Sequence, residues 1–157
     1  MTIGQILALL GAAIAAIGAG IGSSRGVGLA GETSAGVSTE NPEVNSKLLL
    51  LQLLPGTQGI YGFLIAVIVL INTNVLGGQM KAVELYQGLG ILIGCLPIGI
   101  MGYYSAIKQG KVSAAGMIMT GQRPEMSGKA ITMAVMVETY AVLSLLLSFL
   151  IVNSIKL

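Results

Sequence analysis

The feature that most constrains the fold is a set of four long apolar runs, at residues 3–22, 48–71, 85–107 and 130–152. Each run has about the 20 residues that an α-helix needs to cross a bilayer. Only 9% of the 157 residues are charged, whereas a soluble domain usually has about a quarter. The chain therefore lacks the polar surface of a soluble globule. We predict an all-α membrane protein with four transmembrane helices in contact with lipid.

Composition argues against two classes of function. A nucleic-acid surface needs clustered basic side chains, but the net charge is only +2 and the eight lysines and arginines are dispersed. We therefore expect no nucleic-acid partner. Histidine is absent and Cys95 is the single cysteine, so neither an internal disulfide nor a Cys/His metal site can form. We expect Cys95 to be a buried thiol.

Two proline turns indicate an internal duplication. The tripeptide NPE at 41–43 has a counterpart in RPE at 123–125, and each of them joins two apolar runs. Such a repeat predicts a repeated supersecondary unit, here a hairpin of two helices. We predict two tandem hairpins, residues 1–78 and 79–157. Both share one orientation, because each crosses the membrane twice.

The duplication also predicts which residues are equivalent. Matching the polar residues of the two halves pairs Arg25 with Gln109 and Gln58 with Glu138. On this alignment the first hairpin has an amide where the second has an acid.

The basic residues predict the orientation in the membrane. Six of the eight flank the two proline turns: Arg25, Lys47, Lys108, Lys111, Arg123 and Lys129. Only Lys81 and Lys156 lie at the other side. Because cytoplasmic loops are enriched in Lys and Arg, we expect a multi-pass protein of the cell membrane. Its turns would lie in the cytoplasm and both termini outside.

A stripe of small residues follows the first apolar run. It recurs at alternating steps of four and three: Gly4, Ala8, Gly11, Ala15, Gly18 and Gly22. Small residues let helix backbones approach closely in lipid. Two explanations remain open, namely packing inside a single bundle and a tight inner layer of a homo-oligomeric ring. The ring accounts better for the length of the stripe.

Glu138 is the candidate functional residue. It is the only charged residue within the run 130–152, and an ionisable group in a membrane helix is costly and marks a functional site by default. Either a proton or a bound cation can neutralise it. The structural alternative is a carboxylate that simply pairs with Lys108 or Lys111.

The second apolar run supplies polar partners for that acid. Four residues are spaced so that they share one helix face: Leu54, Thr57, Gln58 and Tyr61. Pro55 has no amide hydrogen and disrupts the local backbone bonding. By helix register, the carbonyl that it frees belongs to Leu51.

Gln109 lies at a depth in the membrane similar to that of Gln58 and Glu138 if the third helix extends beyond its apolar run. A carboxylate, two amides, a hydroxyl and a carbonyl can then converge. A proton needs only the carboxylate, whereas Na⁺, a hard cation, needs several oxygens in place of its hydration shell. The surplus of oxygens favours Na⁺. Polar groups that serve only as contacts between helices are the alternative.

Three segments carry a specific resemblance: LQLLPGTQGIYGF at 51–63, KQGKVSAAG at 108–116 and MVETYAVL at 136–143. With the proline turns, they resemble the duplicated proteolipid (the K or c subunit) of bacterial sodium-translocating V-type ATPases, over essentially the whole chain. The resemblance implies these Na⁺ ligands: the Leu54 carbonyl, Thr57, Gln58, Gln109 and Glu138. It implies that Tyr61 hydrogen-bonds the carboxylate and closes the site, and it replaces the Leu51 carbonyl by that of Leu54.

The resemblance also implies the partners. Identical copies would form a homo-oligomeric ring, turned by ATP hydrolysis in a soluble head through central-stalk subunits and moving past a stator subunit with an essential arginine. The chain itself would catalyse no bond chemistry. Three alternatives stay open: the same ring carrying H⁺, a stand-alone transporter or pore, and a purely structural membrane protein.

Overall fold

Five α-helices make up almost the entire chain in the computed structural model, which describes residues 1–157. They are α1 (Ile3–Glu40), α2 (Asn45–Leu53), α3 (Thr57–Asn72), α4 (Leu85–Gln122) and α5 (Ser127–Ser154). Short 3₁₀ turns at Pro42–Val44, Leu54–Gly56 and Pro124–Met126 connect α1 to α2, α2 to α3 and α4 to α5. There are no strands.

The helices and turns combine into four apolar segments long enough to cross a membrane. These are Ile3–Glu40, Pro42–Asn72, Leu85–Gln122 and Pro124–Ser154. The all-α class with four membrane-spanning helices is thereby confirmed. The predicted division between residues 78 and 79 falls in the segment 73–84, which connects α3 to α4.

The two helices α1 and α4 are much longer than their apolar runs predicted. Each has 38 residues, which corresponds to about 57 Å at 1.5 Å per residue. The apolar runs at 3–22 and 85–107 marked only the part that lipid requires to be apolar. Beyond this apolar part, the backbone stays helical through polar sequence, because polar side chains outside the bilayer do not have to be transferred into lipid. Each predicted proline turn is reduced to one non-helical residue, Asn41 or Arg123, followed by a 3₁₀ turn.

The two halves of the molecule repeat with a constant offset, which equals the separation along the chain between Pro42 and Pro124. Helix α4 begins and ends at this repeat offset from α1, and α5 begins and ends at the same offset from the combined α2 and α3. With this offset Gly56 is the counterpart of Glu138, and Val27 is the counterpart of Gln109. The contacts agree, because a methyl group added to Gly56 would lie 3.5 Å from Val27 Cγ2.

The predicted pairing of Gln58 with Glu138, and of Arg25 with Gln109, was therefore wrong. Gln58 and Glu138 are separated by fewer residues than Pro42 and Pro124. Arg25 and Gln109 are separated by more residues than the two prolines. A continuous helical repeat has only one register, so neither pair fits it. Matching residues by polarity selected near neighbours of the true equivalents rather than the equivalents themselves.

The stripe of small residues on α1 packs within the chain, against α4. A methyl group added to Gly11 would lie 2.9 Å from Leu92 Cα, and one added to Gly18 would collide with the Gly99 backbone. The close approach of two helix backbones thus requires glycine on α1. Contact inside one bundle accounts for the stripe, so its length is not in itself evidence for a ring.

Candidate ion-binding site

The site begins at the break between α2 and α3. Pro55 cannot donate a backbone hydrogen bond, and the chain forms a 3₁₀ turn over Leu54–Gly56 before α3 starts at Thr57. The Leu54 carbonyl accepts from both the backbone amide and the hydroxyl of Thr57, the latter at 3.0 Å. The carbonyl that contacts Thr57 is therefore that of Leu54, in line with the family resemblance, rather than that of Leu51.

Glu138 on α5 faces this break. Its Oε1 accepts hydrogen bonds from the Thr57 hydroxyl at 2.6 Å and from the Tyr61 hydroxyl at 2.7 Å. Its Oε2 lies 3.4 Å from Nε2 of Gln109 on α4. One carboxylate is thus held by three side chains from two other helices.

Two amides form the inner wall of the site. Gln58 and Gln109 are both fully buried, and Gln58 Nε2 donates to Gln109 Oε1 at 2.5 Å. Gln109 Nε2 also donates to the Ala134 carbonyl at 3.1 Å. The Gln58 Oε1 atom has no hydrogen-bond partner. An unpaired buried acceptor costs about 1–3 kcal/mol, so this oxygen is available to a ligand.

The site contains more hydrogen-bond acceptors than donors. The Thr57 hydroxyl has one hydrogen but lies within 3.0 Å of two acceptors, the Leu54 carbonyl and Glu138 Oε1. It can donate to only one of them. Together with the unpaired oxygen of Gln58, this arrangement is suited to a cation that coordinates oxygen.

All six residues predicted from the sequence meet in this network. The lysines of the structural alternative do not: the carboxylate partners of Glu138 are Thr57, Tyr61 and Gln109, whereas Lys108 and Lys111 are exposed. A pairing of Glu138 with either lysine is therefore contradicted.

Sequence reasoning missed Ser23, which supports the site from α1. Its hydroxyl accepts from the Gly59 amide at 2.7 Å and donates to the Gly56 carbonyl at 3.3 Å. It thereby fixes both sides of the Thr57–Gln58 segment. The available signal was a serine just past the small-residue stripe, but only the packing of α1 against α3 gives it a partner.

The outer side of the site opens on a groove of about 460 Å³. Tyr61 and Glu138 line this groove together with mostly apolar side chains of α5, among them Val142 and Leu143. The carboxylate is consequently half-buried, and it lines this groove beside Tyr61.

The family model of the ATP synthase C subunit matches this chain twice, at residues 10–69 and 92–151. The chain belongs to the ATP synthase C subunit family. The two matches have equal length and are separated by the same repeat offset as the helices, and the second contains Glu138 at the position that Gly56 has in the first.

Several curated proteins resemble this family member along most of its length. The V-type sodium ATPase subunit K of Enterococcus hirae is 49% identical over 95% of this chain and 92% of its own length. The A-type ATP synthase subunit K of Methanocaldococcus jannaschii is 36% identical over 92% of this chain and 61% of its own length. The 16 kDa proteolipid of the V-type proton ATPase of Bos taurus is 24% identical over 93% of this chain and 90% of its own length.

Proposed function

We propose that this chain is the rotor-ring subunit of a V-type ATPase and that it carries Na⁺ across the membrane at Glu138. The observation that carries the proposal is the unpaired, fully buried oxygen of Gln58 beside the carboxylate network. The proposed ligands are the Leu54 carbonyl, Thr57, Gln58, Gln109 and Glu138. The name of the Enterococcus hirae relative, a sodium ATPase subunit, supports the choice of ion.

Each ligand has a separate task in this proposal. Glu138 supplies the charge, and the neutral oxygens of α3 and α4 replace the water that Na⁺ loses. The side-chain amide of Gln109 would rotate so that its oxygen faces the ion instead of Gln58. This rotation does not require the rest of the side chain to move. Tyr61 lies beside the carboxylate at the wall of the outer groove, so its hydrogen bond to Glu138 would hold a loaded site closed.

The charge balance explains how such a site works in a rotating ring. A loaded site is neutral and can face lipid, whereas an empty carboxylate facing lipid would cost several kcal/mol. Release therefore has to take place where a cation replaces Na⁺, which is the task of the stator arginine. Moving one Na⁺ against 100 mV costs about 2.3 kcal/mol, which ATP hydrolysis in the soluble head has to supply.

The remaining parts of the proposal concern the assembly. The chain forms a homo-oligomeric ring in the cell membrane with its proline turns in the cytoplasm and both termini outside. It touches lipid, the stator subunit and the central stalk, and it catalyses no bond chemistry itself. The basic residues near the turns support this orientation.

The test is Na⁺ binding to the purified ring. Radioactive Na⁺ should bind to the wild type, fail to bind to Glu138→Gln and bind weakly to Gln109→Ala. Gln52→Ala is the matched control, since Gln52 is an amide on α2 that takes no part in the network, and it should bind normally. In parallel, Na⁺ at constant pH should protect Glu138 from a carboxyl-modifying carbodiimide. Labelling that is indifferent to Na⁺ would favour the ring that carries H⁺.

A further inference from the structure

Helix α5 forms hydrogen bonds with α3 only through the carboxylate of Glu138. The hydroxyls of Thr57 and Tyr61 donate to Glu138 Oε1, and no other hydrogen bond joins the two helices. In the proposed cycle this carboxylate leaves its ligands each time the ion is released. Both bonds are then broken, so the hydrogen bonds that hold the α5 backbone in place at that moment are those to α4.

Two side chains of α4 donate to the α5 backbone beside Glu138. The Ser105 hydroxyl donates to the Val137 carbonyl at 3.0 Å, and Gln109 Nε2 donates to the Ala134 carbonyl at 3.1 Å. Ser105 and Gln109 lie one turn apart on the same face of α4. Val137 directly precedes Glu138 in the sequence, so the bond from Ser105 fixes the backbone immediately next to the carboxylate.

Of these two bonds, only the one from Ser105 persists when the site is loaded. Gln109 would rotate its amide to point its oxygen at the ion, and this rotation takes Nε2 away from the Ala134 carbonyl. The Ser105 hydroxyl contacts neither the carboxylate nor any of the proposed ligands. Its bond to Val137 is therefore the same in the loaded and the empty site.

The internal repeat gives an independent reason to single out Ser105. It is separated from Ser23 by the repeat offset, so the two serines are equivalent residues of α1 and α4. Each donates to a backbone carbonyl of the shorter partner helix at the depth of the site, Ser23 to Gly56 at 3.3 Å and Ser105 to Val137. The same serine thus supports the helix with the neutral ligands in one half and the helix with the acid in the other.

We propose that Ser105 is a positioning residue for ion transport. Its bond to Val137 holds the α5 backbone still while the Glu138 side chain moves, so that the carboxylate returns to Thr57 and Tyr61 after each release. This inference rests on the proposed function, which supplies the cycle of release and reloading.

The test compares four variants of the complete ring. Ser105→Ala removes the hydroxyl, and Ser105→Thr keeps it. The added methyl group of threonine has room, because Ser105 and Val137 line a groove of about 190 Å³ between α4 and α5. Ser148→Ala removes another bond between the same helices, to the Ile98 amide at 3.1 Å, but about 15 Å along α5 from Glu138. Ser113→Ala removes a fully buried hydroxyl of α4 that has no hydrogen-bond partner.

The first measurement is the Na⁺ concentration that protects half of Glu138 from a carboxyl-modifying carbodiimide at constant pH. Ser105→Ala should need about fivefold more Na⁺, which corresponds to the loss of one neutral hydrogen bond. Ser105→Thr and both controls should behave like the wild type, although Ser148→Ala should reduce the heat stability of the ring as much as Ser105→Ala does. Equal losses of protection in Ser105→Ala and Ser148→Ala, or no rescue by threonine, would overturn the proposal.

The second measurement is the rate of the same labelling in Na⁺-free buffer. Ser105→Ala should be labelled several-fold faster than the wild type, because its carboxylate is held less often by Thr57 and Tyr61. This rate does not depend on which ion the ring carries. A wild-type ring that binds no Na⁺ would therefore contradict the proposed function, whereas a wild-type labelling rate in Ser105→Ala would contradict the role of Ser105.

Discussion

The first and second hairpins share one repeat register, but only the first is interrupted by a 3₁₀ turn, at Leu54–Gly56, and their chemistry differs at the same depth. In the second, Glu138 lies beside Gln109. In the first, the equivalent Gly56 lies beside Val27. The first hairpin nevertheless contributes three neutral polar groups to the network around Glu138: the Leu54 carbonyl, the Thr57 hydroxyl and the Gln58 amide. The duplication has thus produced two halves of one site, in which α5 supplies the charge and α3 supplies neutral oxygens.

The largest effect is expected when the acid is moved from the second hairpin to the first. Glu138→Gln should weaken Na⁺ binding by about two to four powers of ten, because a lost charge in a half-buried, hydrogen-bonded site costs about 3–5 kcal/mol. Adding Gly56→Glu to that variant should not restore binding, since Val27 offers no oxygen there. Radioactive Na⁺ binding to the ring measures both. Recovery in the double variant would mean that the hairpins are interchangeable.

The next largest effect is expected at Gln58, the neutral contribution of the first hairpin to the inner wall. Gln58→Leu removes the unpaired oxygen and leaves Gln109 Oε1 without its donor. A loss of about 1–3 kcal/mol corresponds to Na⁺ affinity that is lower by about five- to 150-fold. The same change at Gln52, outside the network, serves as the control in the binding assay. Equal affinities in the two variants would exclude Gln58 as a ligand.

A Tyr61 variant tests whether a side chain of the first hairpin closes the site around Glu138 of the second hairpin. Tyr61→Phe keeps the ring but removes the 2.7 Å hydrogen bond to Glu138. A bond to a charged group is worth about 1.5–3 kcal/mol, so Na⁺ should leave the isolated ring at least about tenfold faster. Tyr86→Phe, at an exposed tyrosine, should leave the exchange rate of the radioactive ion unchanged. A normal rate in Tyr61→Phe would show that the outer groove is closed by something else.

The smallest effect is expected at Ser23, which touches only the backbone around the site. Ser23→Ala should reduce Na⁺ affinity about fivefold, since the loss of a neutral hydrogen bond is worth about 1 kcal/mol. The neighbouring Ser24 is an ideal control, because its hydroxyl is exposed and bonds only to the Ile21 carbonyl of its own helix. If Ser24→Ala had the same effect, the support from α1 would not be specific.

Much of the site was open to prediction because a charge in hydrocarbon is conspicuous. Glu138 is the only charged residue of its run, and Thr57, Gln58 and Tyr61 occupy one face of a helix that is otherwise apolar. Ser23 could not be found in this way. Its role depends on which face of α1 meets α3, and serine is common at the polar end of any membrane helix.

The sequence by itself determined the four spans, the orientation of the hairpins relative to each other and the acid at the centre of the site. These follow from transfer free energies, which depend on local composition. The tertiary structure decided that α1 and α4 continue for 38 residues, that the small-residue stripe packs inside the chain and that Gly56 rather than Gln58 is the counterpart of Glu138. These depend on the register between helices, and register is decided by which backbones can approach, not by the polarity of any single residue.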